Sequence, residues 1–255
     1  MSLPSVLTDG RVMKYVPPKI EADDMKKFKI ILIFFLVVLW GVALPLYETG
    51  AEQGTAKKAV VIDPGHGGSD NGVRAADKTY EKDYNLRLAL ALQRELLQSG
   101  FSRVVLTRTG DVDLTLKERI RIIKNSDPLV VIGLHANAGF GGKARGYELY
   151  FPGFGNVKET HNDPSAIISD MTKNKHLNDS VRLSQQIQKH LGAVFPRENR
   201  GLREAPLPLL AGLNVPAVII EIGFLTNKEN RQKLVDESGR QEIARAIAKG
   251  VKEGL

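Results

Sequence analysis

Short, uninterrupted apolar runs recur through the second part of this sequence, and amphipathic stretches separate them. Residues 59–62 (AVVI), 103–107 (RVVLT), 129–132 (LVVI) and 217–220 (AVII) have the length and β-branched content of strands buried on both faces. Residues 146–151 (GYELYF) alternate and read as a further strand. Between these runs the spacing becomes helical. It predicts a helix over 83–98 with Leu86, Ala89, Leu90 and Leu97 inward, and one over 114–124 with Leu116, Ile120 and Ile123 inward. A helix over 180–191 follows, and a last one opens at the capping box 226–229 and runs to Lys252. This alternation predicts an α/β domain, a single open, mostly parallel β-sheet with helices on both faces. The stretch 152–179 departs from it, being polar and Asn/Asp-rich, and is expected to be a long loop with at most a short helix over 166–171.

The N-terminus differs in kind. Residues 30–47 (IILIFFLVVLWGVALPLY) hold eighteen residues without a charge. As a helix they cover roughly 27 Å, enough for the hydrocarbon core of a bilayer. The run is apolar on every face, unlike a buried core helix, which leaves a transmembrane anchor or a signal peptide. Residues 41–43 offer a small-residue cleavage site, but the 29-residue leading segment is long and contains Glu21, Asp23 and Asp24, which favours an uncleaved anchor. Lys26, Lys27 and Lys29 precede the span and Glu48 and Glu52 follow it, so residues 1–29 are expected in the cytoplasm as a disordered tail. Residues 48–57 are then a linker, and 58–255 form the outer domain with its insertion 152–179. That domain faces the periplasm or cell-wall space, or is secreted if the leading segment is cleaved.

The formal charge of +7 falls partly on the N-terminal tail, and no Lys/Arg block interleaved with aromatics appears, which argues against nucleic acid as partner. There is no cysteine, so a disulfide scaffold, a thiolate metal site and a cysteine nucleophile are all excluded.

In an open parallel sheet, ligands sit beyond the carboxyl ends of the strands. Three of the apolar runs deliver polar groups there: Asp63-Pro64-Gly65-His66-Gly67-Gly68, His135-Ala136-Asn137, and Glu221-Ile222-Gly223. Glu81 stands at the entrance to the first long helix, able to turn back over the same edge. Two imidazoles and a carboxylate suit zinc and leave a fourth position for water. A hydrolase also needs a carboxylate that is not a ligand, and Glu221 is available for that. The glycines around His66 would let backbone pass close to a metal. His161, His176 and His190 read as solvent-exposed.

These motifs, in this order, together with Asn214-Val215-Pro216-Ala217 leading into 221–227 (EIGFLTN), resemble the zinc-dependent N-acetylmuramoyl-L-alanine amidases (the Amidase_3 type). Leu106-Thr107-Arg108, Asp113, Leu116, Arg119 and 199–203 (NRGLR) fit the same pattern. The resemblance implies one zinc ion on His66, Glu81 and His135, with Glu221 as catalytic acid/base. Its implied substrate is peptidoglycan, cut at the amide between N-acetylmuramic acid and L-alanine. Asp63 and Asn137 are candidates to orient the imidazoles. Relatives with a helix over the zinc suggest that 152–179 gates entry, that Glu159 or Asp163 approaches the metal, and that a protein activator acts there. The sequence departs from the pattern at Gly133, where Ser is common, and at Ile123-Lys124. A non-catalytic wall-binding or regulatory module, or a zinc hydrolase of another amide, stays open on the residues alone.

Overall fold

The computed structural model describes residues 58–153, 164–210 and 213–255. The tail 1–29, the span 30–47 and the linker 48–57 lie outside the described residues, as do Glu159, His161 and Asp163. Among the described residues no helix is long and apolar enough to cross a membrane.

The elements follow in the order β1 (Ala59–Pro64), α1 (Glu81–Gln98), β2 (Val104–Leu106), α2 (Leu116–Asn125), β3 (Pro128–Asn137), a 3-10 turn (Phe140–Gly142), β4 (Tyr147–Pro152), α3 (Pro164–Val194), β5 (Asn199–Ala205), β6 (Ala217–Phe224), α4 (Lys228–Val235) and α5 (Glu237–Gly254). The six strands form one sheet in the order β2-β1-β3-β6-β4-β5. Its pairings are parallel except β4 with β6, so the sheet is mixed. The exception has a simple cause. The short connection from β3 to β4 contains only a 3-10 turn, and a parallel return needs a crossover of a dozen residues or more.

Strand periodicity divides the core in two. Val60, Ile62, Val130, Ile132, Val218 and Ile220 point toward α1, α3 and α5, while Ala59, Val61, Val131 and Ala217 point the other way, toward Ile123 of α2 and Leu209 and Leu210. Helices therefore cover both faces, unequally. The buried side of α1 is Tyr84, Leu88, Leu92 and Leu96, a stripe at steps of four, whereas Leu97 is 47% exposed. Leu116 of α2 is likewise 46% exposed, because α2 lies over the sheet mainly through Ile123.

Three other expectations are corrected and one strand is added. The final helix is two helices, since Asp236 takes an extended conformation (φ −66°, ψ 134°) that ends α4 and precedes α5. Residues 164–179 are not loop but the first half of α3, which is 31 residues long. Strand β5 carries no apolar run, because it is an edge strand with mostly exposed side chains and is held by its main-chain pairing to β4. Of the histidines read as exposed, His190 is only 14% exposed and sits 2.8 Å from Glu253, and the Nδ1 atom of His176 is buried.

Helix α3 is fixed to the sheet by Ser180, which is 1% exposed; its hydroxyl accepts the Ala217 N–H at 2.9 Å and donates to the His176 carbonyl at 2.7 Å. Ser180→Ala orphans a buried N–H and is expected to lower stability by about 1–3 kcal/mol. Urea unfolding of the variant checks this, and an unchanged midpoint would assign the anchoring of α3 to its apolar face alone.

Candidate metal centre

One edge of the sheet gathers the ionisable groups. β1 leaves it through Asp63 and Pro64, β3 reaches it at His135, and β6 reaches it at Glu221, the register partner of His135. Because β4 runs the opposite way, its start lies at this edge and sets Glu148 beside Glu221. Helix α1 begins here too. Its first residue is Glu81, where the positive end of the helix favours a carboxylate.

Donor atoms of His66, Glu81 and His135 all lie within 4.8 Å of one another. One oxygen of Glu81 sits 3.1 Å from His66 Nε2 and 3.2 Å from His135 Nδ1, and accepts the Ala136 N–H at 3.1 Å. Its second oxygen accepts the Val73 N–H at 3.0 Å. The imidazoles meet edge to face, with centroids 5.1 Å apart. Glu81 is 3% exposed, and burial alone would raise its pKa. The hydrogen bonds from His135, His66 and Val73 outweigh burial and hold it below the usual carboxylate range. The same contact with Glu81 raises His66 to about 9 against its own burial, with Asp70 adding to the effect. Two imidazoles and a buried carboxylate converging from three elements form a donor set that fits zinc and leaves a coordination position over.

The loop after β1 is held by its backbone. His66 itself has φ +63°, a left-handed conformation that costs a side chain of order 1–3 kcal/mol and marks a constrained site. Two buried arginines restrain it. Arg119 donates to the carbonyls of His66 (2.6 Å) and Pro64 (3.0 Å), and Arg108 to those of Gly65 (2.9 Å) and Pro64 (3.0 Å). Asp63 neutralises Arg119 at 2.8 Å and accepts the Thr107 hydroxyl. Lys82 ties the Gly68 carbonyl (2.7 Å) to Asp111 (2.9 Å). Glycine is required where backbone meets a donor. A Cβ on Gly65 would lie 2.2 Å from the His135 ring, and one on Gly72, at φ +62°, 2.6 Å from a Glu81 oxygen.

The orienting groups differ from those expected. Asp63 touches no imidazole and acts on the loop through Arg119. The group on His66 Nδ1 is Asp70, at 2.8 Å. Asn137 donates to Glu148 at 2.8 Å, again not to an imidazole. Glu148 was legible only as a charge inside the alternating run 146–151; it is 5% exposed and pairs with Arg203 at 3.4 Å. The Glu221 carboxyl accepts no hydrogen bond among the described residues. Burial, with Glu81 and Glu148 nearby, pushes its carboxyl up to about 7 although His135 and His66 pull it down. That is the range in which a carboxyl can both take and return a proton at neutral pH.

The described ends of the insertion lie away from this centre. β4 ends at Pro152, and Ser180 of α3 meets Ala217 at the start of β6, both at the opposite edge of the sheet. Residues 164–179 therefore extend outward from the far edge, which does not fit a lid over the three donors.

Residues 60–253 match the family model described as N-acetylmuramoyl-L-alanine amidase. The chain is 27% identical over 224 residues to N-acetylmuramoyl-L-alanine amidase AmiA of Escherichia coli, covering 79% of this chain and 77% of that protein. Among solved structures, the catalytic domain of CwlV, an N-acetylmuramoyl-L-alanine amidase from Bacillus (Paenibacillus) polymyxa, superposes with a TM-score of 0.62 at 29% identity, over 77% of this chain and 97% of that one. The CwlD amidase from Clostridioides difficile, solved in complex with the GerS lipoprotein, gives 0.62 at 32% identity, over 78% and 98%. With a matched segment that spans every strand of the sheet from β1 to β6, this chain belongs to the N-acetylmuramoyl-L-alanine amidase family.

Proposed function

We propose that the chain is a peptidoglycan hydrolase that cleaves the amide between N-acetylmuramic acid and the L-alanine of the stem peptide. The observation that carries this reading is the convergence of His66, Glu81 and His135 at one sheet edge, with Glu221 beside them on the next strand. Those three residues would hold zinc, which supplies Lewis acidity toward an amide carbonyl and acidifies water near neutral pH. Glu221 takes a proton from the attacking water and returns it to the leaving amine of L-alanine. Asp70 holds the His66 ring by its other nitrogen, so that Nε2 faces the centre. Arg108 and Arg119 fix the loop that carries His66 by binding the carbonyls of Gly65 and His66.

The proposal extends to the N-terminus. Residues 30–47 anchor the chain in the cell membrane and the domain works outside the cytoplasm, a reading supported by the uncharged run and the lysines before it. A protein activator is proposed on the likeness to CwlD, which was solved with a lipoprotein bound.

Glu221→Gln is expected to retain stoichiometric zinc while losing at least about a thousandfold in release of stem peptides from purified sacculi. Metal analysis with mass spectrometry of the products tests it, and continued cleavage would remove Glu221 from the proton transfer. Chelation of the wild type should abolish release, and added zinc restore it. The raised carboxyl of Glu221 also fixes two pH dependences. Its base form disappears as pH falls, so activity should decline on the acid side at or below about pH 7, a bound cation moving that limb lower. In chelator, folding favours its protonated form; stability is then fully present below the ordinary carboxylate range and decreases as pH rises through about 7. Glu221→Gln removes that loss, so urea midpoints of the variant should exceed the wild type at pH 8 and converge with it at pH 4.

A further inference from the structure

Next to the candidate metal centre the surface turns strongly basic. A groove of about 430 Å³ is lined by Lys143, Arg145, Arg197, Arg200 and Arg203, with Glu198 as its acidic member. Arg145 is engaged by Glu198 at 3.6 Å and Glu229 at 3.7 Å, and Arg203 by Glu148 at 3.4 Å. Lys143 and Arg197 have no ion-pair partner among the described residues. Arg200 lies 4.9 Å over the Phe224 ring, and its distance to Glu148, 3.8 Å, is loose for an ion pair. The groove thus holds more cations than its carboxylates satisfy, and two are wholly uncommitted. Such a groove is an electrostatic sink for anions.

Its position is set by the sheet. Glu221 on β6, Glu148 on β4 and the arginines of β5 lie on three adjacent strands. Strand spacing puts β5 about 10 Å from Glu221, the span of roughly three residues of extended peptide. Phe224, on the strand that carries Glu221, holds Arg200 over its ring.

The geometry points to a carboxylate-binding subsite: the groove formed by Lys143, Arg197, Arg200 and Arg203 takes a free carboxylate of the stem peptide, two to three residues beyond the amide that is cut. This rests on the amidase reading above and deepens it, since it makes the acidic stem, and not the scissile amide alone, a determinant of which substrates are used. Arginine forks bind carboxylates with two parallel hydrogen bonds, and each charge-assisted contact changes affinity by about tenfold.

The test uses the full chain and does not depend on turnover. Binding of a synthetic stem peptide is measured by calorimetry with its side carboxylates free and with the same groups converted to carboxamides. The wild type is expected to bind the free-acid peptide at least about tenfold more tightly, with the preference decreasing as salt is raised. Arg197→Gln/Arg200→Gln should reduce that preference to near unity and leave zinc content unchanged. Lys143→Gln, at a side chain that makes no ion pair among the described residues, should give a smaller loss in the same direction. Equal binding of the two peptides by the wild type would overturn the proposal, as would a double variant that weakens both equally. Tighter binding of a polyglycerol-phosphate wall polymer than of the free-acid peptide would overturn it in favour of a phosphate site. Cleavage assays on the same proteins separate the two readings: peptide preference without release of stem peptides contradicts the amidase reading and leaves the subsite standing.

Discussion

A single carboxylate, buried at the first position of a helix and shared between two imidazoles, is the contact on which the rest of this site depends. Left alone, Glu81 would be an unfavourable charge in an apolar setting. It is stabilised because α1 presents its N-terminus, Val73 and Ala136 donate main-chain N–H groups, and His66 and His135 close in from two other segments. Each of these partners is thereby placed as well. The polarity of the cluster is matched by the polarity of its supports, since Arg108 and Arg119 are themselves buried and bonded mainly to loop carbonyls. Removing any one member leaves a charge or a donor without a partner, so the cluster forms as a unit or not at all.

The sequence was readable wherever burial dictated residue type. The continuous runs in β1, β3 and β6 announced strands buried on two faces, and the polar residues closing them announced the edge at which ligands gather. His66, Glu81 and His135 came together as their positions at strand and helix ends required. Elements whose type is set by hydrogen bonding without burial were not readable. β5 looks like a polar loop because an edge strand needs no apolar side chains, and the first half of α3 was hidden because it extends past the sheet. The direction of β4 was also hidden; it follows from the length of the preceding connection, not from its residues. With the direction went Glu148, whose place beside Glu221 exists only if β4 is inverted. Asp70 gives no signal in the sequence, because an exposed aspartate four residues from a histidine has no distinguishing pattern. The departure at Gly133 has a plain explanation: a Cβ there would approach Ile219 to 3.0 Å, so the bulk is carried by the neighbouring strand.

Glu148 links the basic groove to the acidic centre, through Arg203 on one side and its register partner Glu221 on the other. It fixes Arg203 and Asn137 on one side and adds negative potential to Glu221 on the other.

The inverted strand has a consequence for how the domain tolerates change. Since β4 ends at the pole remote from the ionisable groups, a change at that end of the strand leaves the reactive pole as it is. Control exerted from that pole would have to travel along α3, whose Ser180 is bonded to the first residue of the strand that carries Glu221.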